Sequence, residues 1–241
     1  MVTLSVSDAL KLVRKNMDEL DPNGSIMYQD ENGSTSDYGD NRSLDDIIAR
    51  MLPEAINTVH ETAHVWLLEG ETLAQSDIAV EADTPVISLE NDGVLSFTLK
   101  DTTNYLRLVA FRAADSSIGV TDVIPEASPE GRKQLNQYIR GRKDRPRLVQ
   151  LQGRHTGPSF RYYTIGTPET YQSAPFTAIA EMIYVKEQFF PGTATTNDHT
   201  YDISRRLRQN IIDLTTARVM ETFGDQRAQA YYQKANTFPT L

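Results

Sequence analysis

The segment Ser43 to Trp66, SLDDIIARMLPEAINTVHETAHVW, is the longest amphipathic run in the chain and sets the first constraint on its fold. Leu44, Ile47, Ile48, Met51, Leu52, Ala55, Ile56 and Val59 recur at steps of three and four. That spacing places them on one stripe of a 3.6-period helix. A stripe of this width has to be buried against other elements, so a packed helical module is expected. Ser43 stands at the N-cap position, and Asp45 and Asp46 lie where they favour the positive end of the helix dipole. Pro53 removes one backbone donor inside the pattern, which predicts a kink near residues 49–53 or a split into two helices.

The same segment contains His60-Glu61-Thr62-Ala63-His64, an H-E-x-x-H sequence. On a helix the two histidines lie one turn apart and can reach one Zn²⁺, with Glu61 activating the bound water. Against this, Leu67 stands where the longer zincin pattern needs Gly. The downstream acids Glu69, Glu71, Glu81 and Glu90 fall on no second predicted helix. The motif also sits at the end of a helix whose apolar stripe is needed for packing, and a histidine near a helix C-terminus has a simple electrostatic reason to be there. The expectation is therefore structural, with no metal ligands and no cofactor, and with at least one of His60 and His64 beside solvent or a neighbouring subunit. A zinc-dependent peptidase using His60, Glu61 and His64 is the alternative.

The remaining pattern is helical at both ends and period-2 between. Helices are expected over about 7–20 (capped by Ser7, with Leu10, Val13, Met17 and Leu20 inward), 43–66, 201–223 and 225–237. The C-terminal pair carries Ile203, Leu207, Ile211, Leu214 and Met220 on one face, then Gly224 as C-cap and Asp225 as the next N-cap. Residues 21–42 read as a polar loop whose Asp30, Asn32, Ser34 and Ser36 lack the order of a calcium-binding EF-hand. From about Ile78 the segments 84–90, 93–100, 105–113, 118–125, 147–152 and 159–166 read as strands, with Asn91-Asp92-Gly93 as a hairpin turn. Residues 176–189 fit a strand or a short helix. Ser128-Pro129 opens one helix within this block, running to about Gly141 with Leu135, Tyr138 and Ile139 inward. The fold class is α+β: a helical module from both termini, 1–74 with 195–241, and an inserted, mainly antiparallel β block, 75–194.

Charge is unevenly distributed. Residues 1–100 hold 19 Asp/Glu against 6 Lys/Arg, whereas residues 132–147 hold seven basic residues and one acid, Asp144. Arg132, Lys133, Arg140, Arg142, Lys143, Arg145 and Arg147 are therefore candidate subunit-interface residues, complementary to an acidic face of another copy. Free duplex DNA is a poor main ligand for a chain of net charge −9. No apolar run approaches about 18 residues, so no membrane contact is expected. Cysteine is absent, which excludes thiolate chemistry and fits a reducing compartment. The N-terminus lacks the layout of a secretory signal. His155 and His199 read as surface residues. Phe160, Tyr162 and Tyr163, beside Arg154 and Arg161, read as one face of a strand in a sheet rather than as a base-stacking platform.

Three segments carry a family resemblance. SLDDIIARMLPEAINTVH, following a first helix and a polar loop, is similar to the N-terminal module of tailed-bacteriophage connector proteins. LRQNIIDLTTARVMETFGDQRAQAYYQKAN is similar to the closing helix pair of such adaptors, and LRLVAFRA with PEASPEGRKQLNQYIRGRKDRP resembles the ring proteins of crAss-like phages. The resemblance implies a structural virion protein of the neck or tail, assembled in the host cytoplasm, and transfers no catalytic residue. It implies a homo-oligomeric ring of about twelve copies. The partners it implies are the portal protein, neighbouring tail or ring proteins, and phage DNA passing through the lumen unread. A surface- or glycan-binding module on the β block is a further alternative, weakened because the single Trp, Trp66, falls on a predicted helix.

Overall fold

The computed structural model describes residues 2–17, 44–68, 80–83, 86–89, 94–99, 105–113, 119–136, 138–139, 141, 145–151, 158–163, 177–190 and 199–239. The expectations for the loop 21–42, the Ser43 cap, the Asn91-Asp92-Gly93 turn, Arg154 and His155 lie outside the described residues. In chain order the elements begin β1 (Val2–Ser5), α1 (Val6–Asn16), α2 (Leu44–Thr62), α3 (Val65–Leu68), β2 (Val80–Asp83), β3 (Val86–Leu89), β4 (Leu95–Thr98) and β5 (Tyr105–Ala113). They continue β6 (Val123–Pro125), α4 (Pro129–Lys133), β7 (Arg147–Gln150), β8 (Ser159–Tyr163), β9 (Thr177–Lys186), β10 (Thr200–Ile203), α5 (Arg208–Thr222) and α6 (Ala228–Ala235). The chain is α+β. It divides into two compact units, Met1–Ala79 with Gln188–Leu241 and Val80–Glu187. Among the described residues, no helix is long and apolar enough to cross a membrane.

The first unit is built on α5. Every residue from Asn210 to Ala217 is buried, so this helix has no solvent face over two turns. It packs against α1, α2 and α6. Ile48, Leu52, Ala55, Ile56 and Val59 of α2 are buried, as their spacing requires, while Leu44, Ile47 and Met51 are half-buried at the stripe's margin. The helix runs unbroken through Pro53, so the expected split does not occur. It ends at Thr62 rather than near 66, and a separate turn, α3, follows. Arg14 of α1, itself buried, donates from Nε (2.9 Å) and Nη2 (2.7 Å) to Asp45 in the first turn of α2.

Two helix starts differ from expectation. Ser5, not Ser7, caps α1, its Oγ accepting from the Asp8 amide at 3.1 Å. Residues 200–203 are a strand, not the start of a helix. Tyr201 and Ile203 alternate inward and pair antiparallel with Leu4 and Val2 of β1, which period-3.6 reading of Ile203 and Leu207 conceals. A 3-10 turn, Arg205–Leu207, then leads into α5. Gly224 sits just past the end of α5 with φ 71°, and the amides of Gly224 and Asp225 bond back to Glu221 (3.0 Å) and Met220 (2.9 Å), a Schellman ending. The Arg227 guanidinium and amide hydrogen-bond to Asp225, which holds its carboxyl below the usual range.

The second unit is a sheet in the order β2-β9-β3-β4-β8-β7-β6, with β5 on the other edge of β9. β2 and β3 follow one another along the same edge of β9. Phe111 of β5 and Val120, just before β6, form an antiparallel bridge with both N–H···O distances 2.7 Å. That bridge joins β5 to the segment entering β6, so β9, β3, β4, β8, β7, β6 and β5 form a ring of strands, a small barrel, with β2 continuing the line of β3 along β9. Among the described residues, all ladders of this sheet are antiparallel except β6–β7, which is parallel. Residues 176–189 resolve as strand through β9, and the expected strand 118–125 shortens to β6 and the Val120 bridge.

Register places one aromatic layer inside. Leu95 faces Tyr162, Tyr162 faces Leu148, and Leu148 faces Val123 across four strands. Phe97 stacks on Phe111 (5.1 Å) and Phe160 (5.2 Å), and Tyr162 meets Phe111 edge-on at 5.1 Å. Phe160 and Tyr162 thus belong to the barrel core, while Tyr163 lies on the opposite face with Val94 and Val149. All three rings are buried and unavailable to stack on bases.

Asp213 is the one buried carboxylate of α5, accepting from Gln209 Nε2 at 2.9 Å, and burial raises its pKa above the ordinary 3.8. The folded state therefore holds this proton more tightly than the unfolded chain. The stabilising contribution is complete below the ordinary value and is lost as pH rises through the raised one. Asp213→Asn removes that loss. Its melting temperature is expected to gain on the parent's as pH climbs from below 3.8 to neutral, measured by thermal denaturation across the range; a gap that shrinks with pH contradicts this assignment.

Candidate interaction surface

The segment expected to be a long helix over 128–141 is instead a short helix and a pinned turn. Ser128 caps α4, its Oγ accepting from the Gly131 amide (3.0 Å) and donating to the Pro125 carbonyl (2.7 Å). Pro129 occupies the first helical position. Helix ends at Lys133 because the next polar side chains take over the backbone's partners. Gln134 is buried, its Oε1 accepting from the Gly141 amide at 2.8 Å and its Nε2 donating to the Glu130 carbonyl at 3.3 Å. Asn136 Oδ1 accepts from the Tyr138 amide at 2.9 Å, closing an Asx turn.

Glycines hold both ends of this turn against the barrel. A side chain at Gly131 would overlap the Pro125 carbonyl oxygen and stand 2.8 Å from that of Glu126. One at Gly141 would overlap the Tyr163 carbonyl oxygen and stand 2.9 Å from the Arg147 amide nitrogen. Only glycine permits so close an approach of two backbones.

With the ends fixed, the apolar side chains between them face solvent. Leu135, Tyr138 and Ile139 are 64%, 74% and 58% exposed, which corrects the expectation that they point inward. They are three of the five large apolar residues most exposed among the described residues. Beside them lies an open depression of about 580 Å³, lined by Ala127, Pro129, Arg132, Lys133, Asn136 and Ile139.

Arg132, Lys133, Arg145 and Arg147 are exposed, so the segment joins apolar and cationic surface. Lys133 lies 3.1 Å from Glu130 one turn earlier. Arg140, Arg142 and Lys143 lie outside the described residues. By unit, Met1–Ala79 with Gln188–Leu241 holds 20 acidic and 11 basic residues, and Val80–Glu187 holds 13 of each. The whole net charge of −9 thus belongs to the helical unit. In it, Asp8, Asp46, Glu54 and Glu61 are exposed.

The H-E-x-x-H residues do not share a helix. His60 lies on α2 and is fully buried, Glu61 is exposed, and α2 ends at Thr62. His64 follows in the break between α2 and α3 and is exposed. The one-turn spacing that brings two imidazoles to one metal is therefore missing. Among the described residues, no three His, Cys, Asp or Glu side chains gather where they could hold a metal ion. His199 is half-buried, its ring edge-on to Tyr201 at 4.6 Å. Trp66 sits on α3 with the Arg206 guanidinium over its ring at 5.5 Å.

No protein-family model matches this chain, and no curated protein matches it.

The pinned turn separates backbone from surface in a measurable way. Gly131→Ala is expected to lower stability by about 3 kcal/mol, because the added methyl meets immovable carbonyls. Leu135→Ser should stay within about 0.5 kcal/mol of the parent, since its side chain is in water in the single chain. Chemical denaturation of both variants checks the contrast; equal losses would mean that Leu135 is packed.

Proposed function

We propose that this chain is a structural virion protein: a homo-oligomeric ring in the neck or tail of a tailed bacteriophage, which joins portal to tail and surrounds the DNA passage. One observation carries the reading. An apolar trio, Leu135, Tyr138 and Ile139, is exposed within a cationic segment of a chain that is otherwise acidic. Exposed apolar residues set among charges are the surface of an assembly component, in which the apolar centre supplies affinity and the charges supply register and selectivity.

The resemblance of segments 43–60, 106–113 with 125–146, and 207–236 to connector and crAss-like ring proteins gives that surface its context. A ring needs a contact between two different faces of the same chain. The division of charge, with a neutral barrel unit carrying the basic segment and a helical unit carrying the whole net charge, supports such a pairing. In this role the chain is not an enzyme and holds no cofactor. A ring of chains that each carry a net charge of −9 favours passage of DNA over adhesion.

The test is assembly. The purified chain, mixed with portal complexes or tail-less particles encoded by the same genome, is expected to add a ring visible by negative-stain electron microscopy. Raising the salt should weaken its incorporation. A chain that neither self-associates nor joins such particles at low salt is not a ring component.

A further inference from the structure

We infer that the turn between Gly131 and Gly141 is a preformed plug that seats on the acidic helical unit of a second copy of this chain, in a head-to-tail contact. The inference deepens the ring reading and rests on it, by naming which face meets which.

Three observations lead to it. The first is fixation. Gly131 and Gly141 sit too close to the barrel backbone for any side chain, and buried Gln134 ties the turn across its middle. Leu135, Tyr138 and Ile139 therefore cannot fold inward, and their exposure is built into the backbone rather than being a consequence of slack. An apolar anchor already held in place loses little conformational entropy on docking.

The second is the composition of the face. Tyr138 and two aliphatic residues, with Arg132 and Lys133 beside a depression of about 580 Å³, make an apolar centre with a cationic margin. Aromatic and arginine residues at the centre of an interface contribute most of its affinity.

The third decides the partner and the symmetry. A two-fold contact sets a patch against itself, and here that would oppose the exposed Arg132 and Lys133 to the same pair. Like charges in apposition oppose docking. The complementary charge is on the same chain but on the other unit, which carries all of the net −9 and exposes Asp46 and Glu61 along α2. A patch on one unit that fits the other unit of the next copy gives a heterologous contact, and such contacts repeat around a ring or along a filament.

A photocrosslink reads this directly. The chain has no cysteine, so Ala127→Cys, an exposed position lining the depression, carries a unique thiol for a benzophenone label. The labelled chain is mixed with an isotopically heavy, unlabelled one, illuminated at low salt and digested for mass spectrometry. Crosslinks to heavy peptides of Met1–Ala79 or Gln188–Leu241 are expected. Crosslinks to heavy peptides of the 128–147 segment would mean a two-fold contact and overturn the inference.

The doubly substituted Leu135→Ser, Ile139→Ser chain should melt as the parent does and self-associate about tenfold more weakly or worse. Unchanged self-association in that variant would overturn the plug while leaving a ring intact. A parent chain that stays monomeric at high concentration yet joins portal particles likewise overturns the plug and keeps the ring reading. A chain that does neither ends both.

Discussion

A helix with no solvent face places a strict demand on everything around it. Over Asn210–Ala217 every α5 residue is buried, including Asn210, Asp213, Thr215 and Thr216. Polar groups taken out of water destabilise the fold unless they are hydrogen-bonded, so their partners have to come from within the unit. Thr215 and Thr216 donate to the carbonyls of Ile211 and Ile212, each at 2.8 Å. Asn16 of α1 donates to Thr216 at 3.1 Å, and Asn210 donates to Ala235 (2.8 Å) and Thr237 (3.1 Å) at the end of α6. The amphipathic faces of α1, α2 and α6 bring apolar cover, and these few polar bonds set where each helix sits along α5. Arg218 extends the arrangement to α2, donating to Thr58 at 2.8 Å and lying 3.7 Å from Glu54.

The barrel unit meets a different constraint. A sheet ends in two edges that invite pairing with other chains. Here the Phe111–Val120 bridge joins those ends around the Phe97, Phe111 and Phe160 rings, and the chain that follows β6 is then committed to the barrel's outside. Ser128, Gly131, Gln134 and Gly141 hold it there. The exposed Leu135, Tyr138 and Ile139 are the consequence. With these strands paired in a ring, an appended turn is a place where apolar surface can be offered to a partner without exposing the core.

The two most conspicuous motifs in the chain turn out differently in three dimensions, for one reason. H-E-x-x-H and the SPEGRKQLNQYI run both presume that a helix continues. In the first, α2 stops at Thr62 and leaves His64 outside it. In the second, α4 stops at Lys133 and turns its apolar residues outward. Where a helix ends depends on which side chains and neighbouring backbones take over its terminal hydrogen-bonding groups, and those partners are distant or unremarkable in sequence. Gly131 and Asn136 within the second run were the available signal against a long helix.

The sequence by itself determined what depends on periodicity and local chemistry. The buried face of α2, the strands at 105–113 and 159–163, the Gly224 ending and the concentration of cations in 132–147 all follow from spacing, from glycine's access to positive φ and from counting charge. The tertiary structure alone decided the rest. Pairing with β1 made residues 200–203 a strand, because a partner four residues long at the far end of the chain satisfies their backbone. The Phe111–Val120 bridge closed the barrel. Contact of Gly131 and Gly141 with carbonyls elsewhere made an expected core face into an exposed one. Each of these turns on a backbone contact between separate segments, and hydrophobic spacing carries no record of which backbone will arrive.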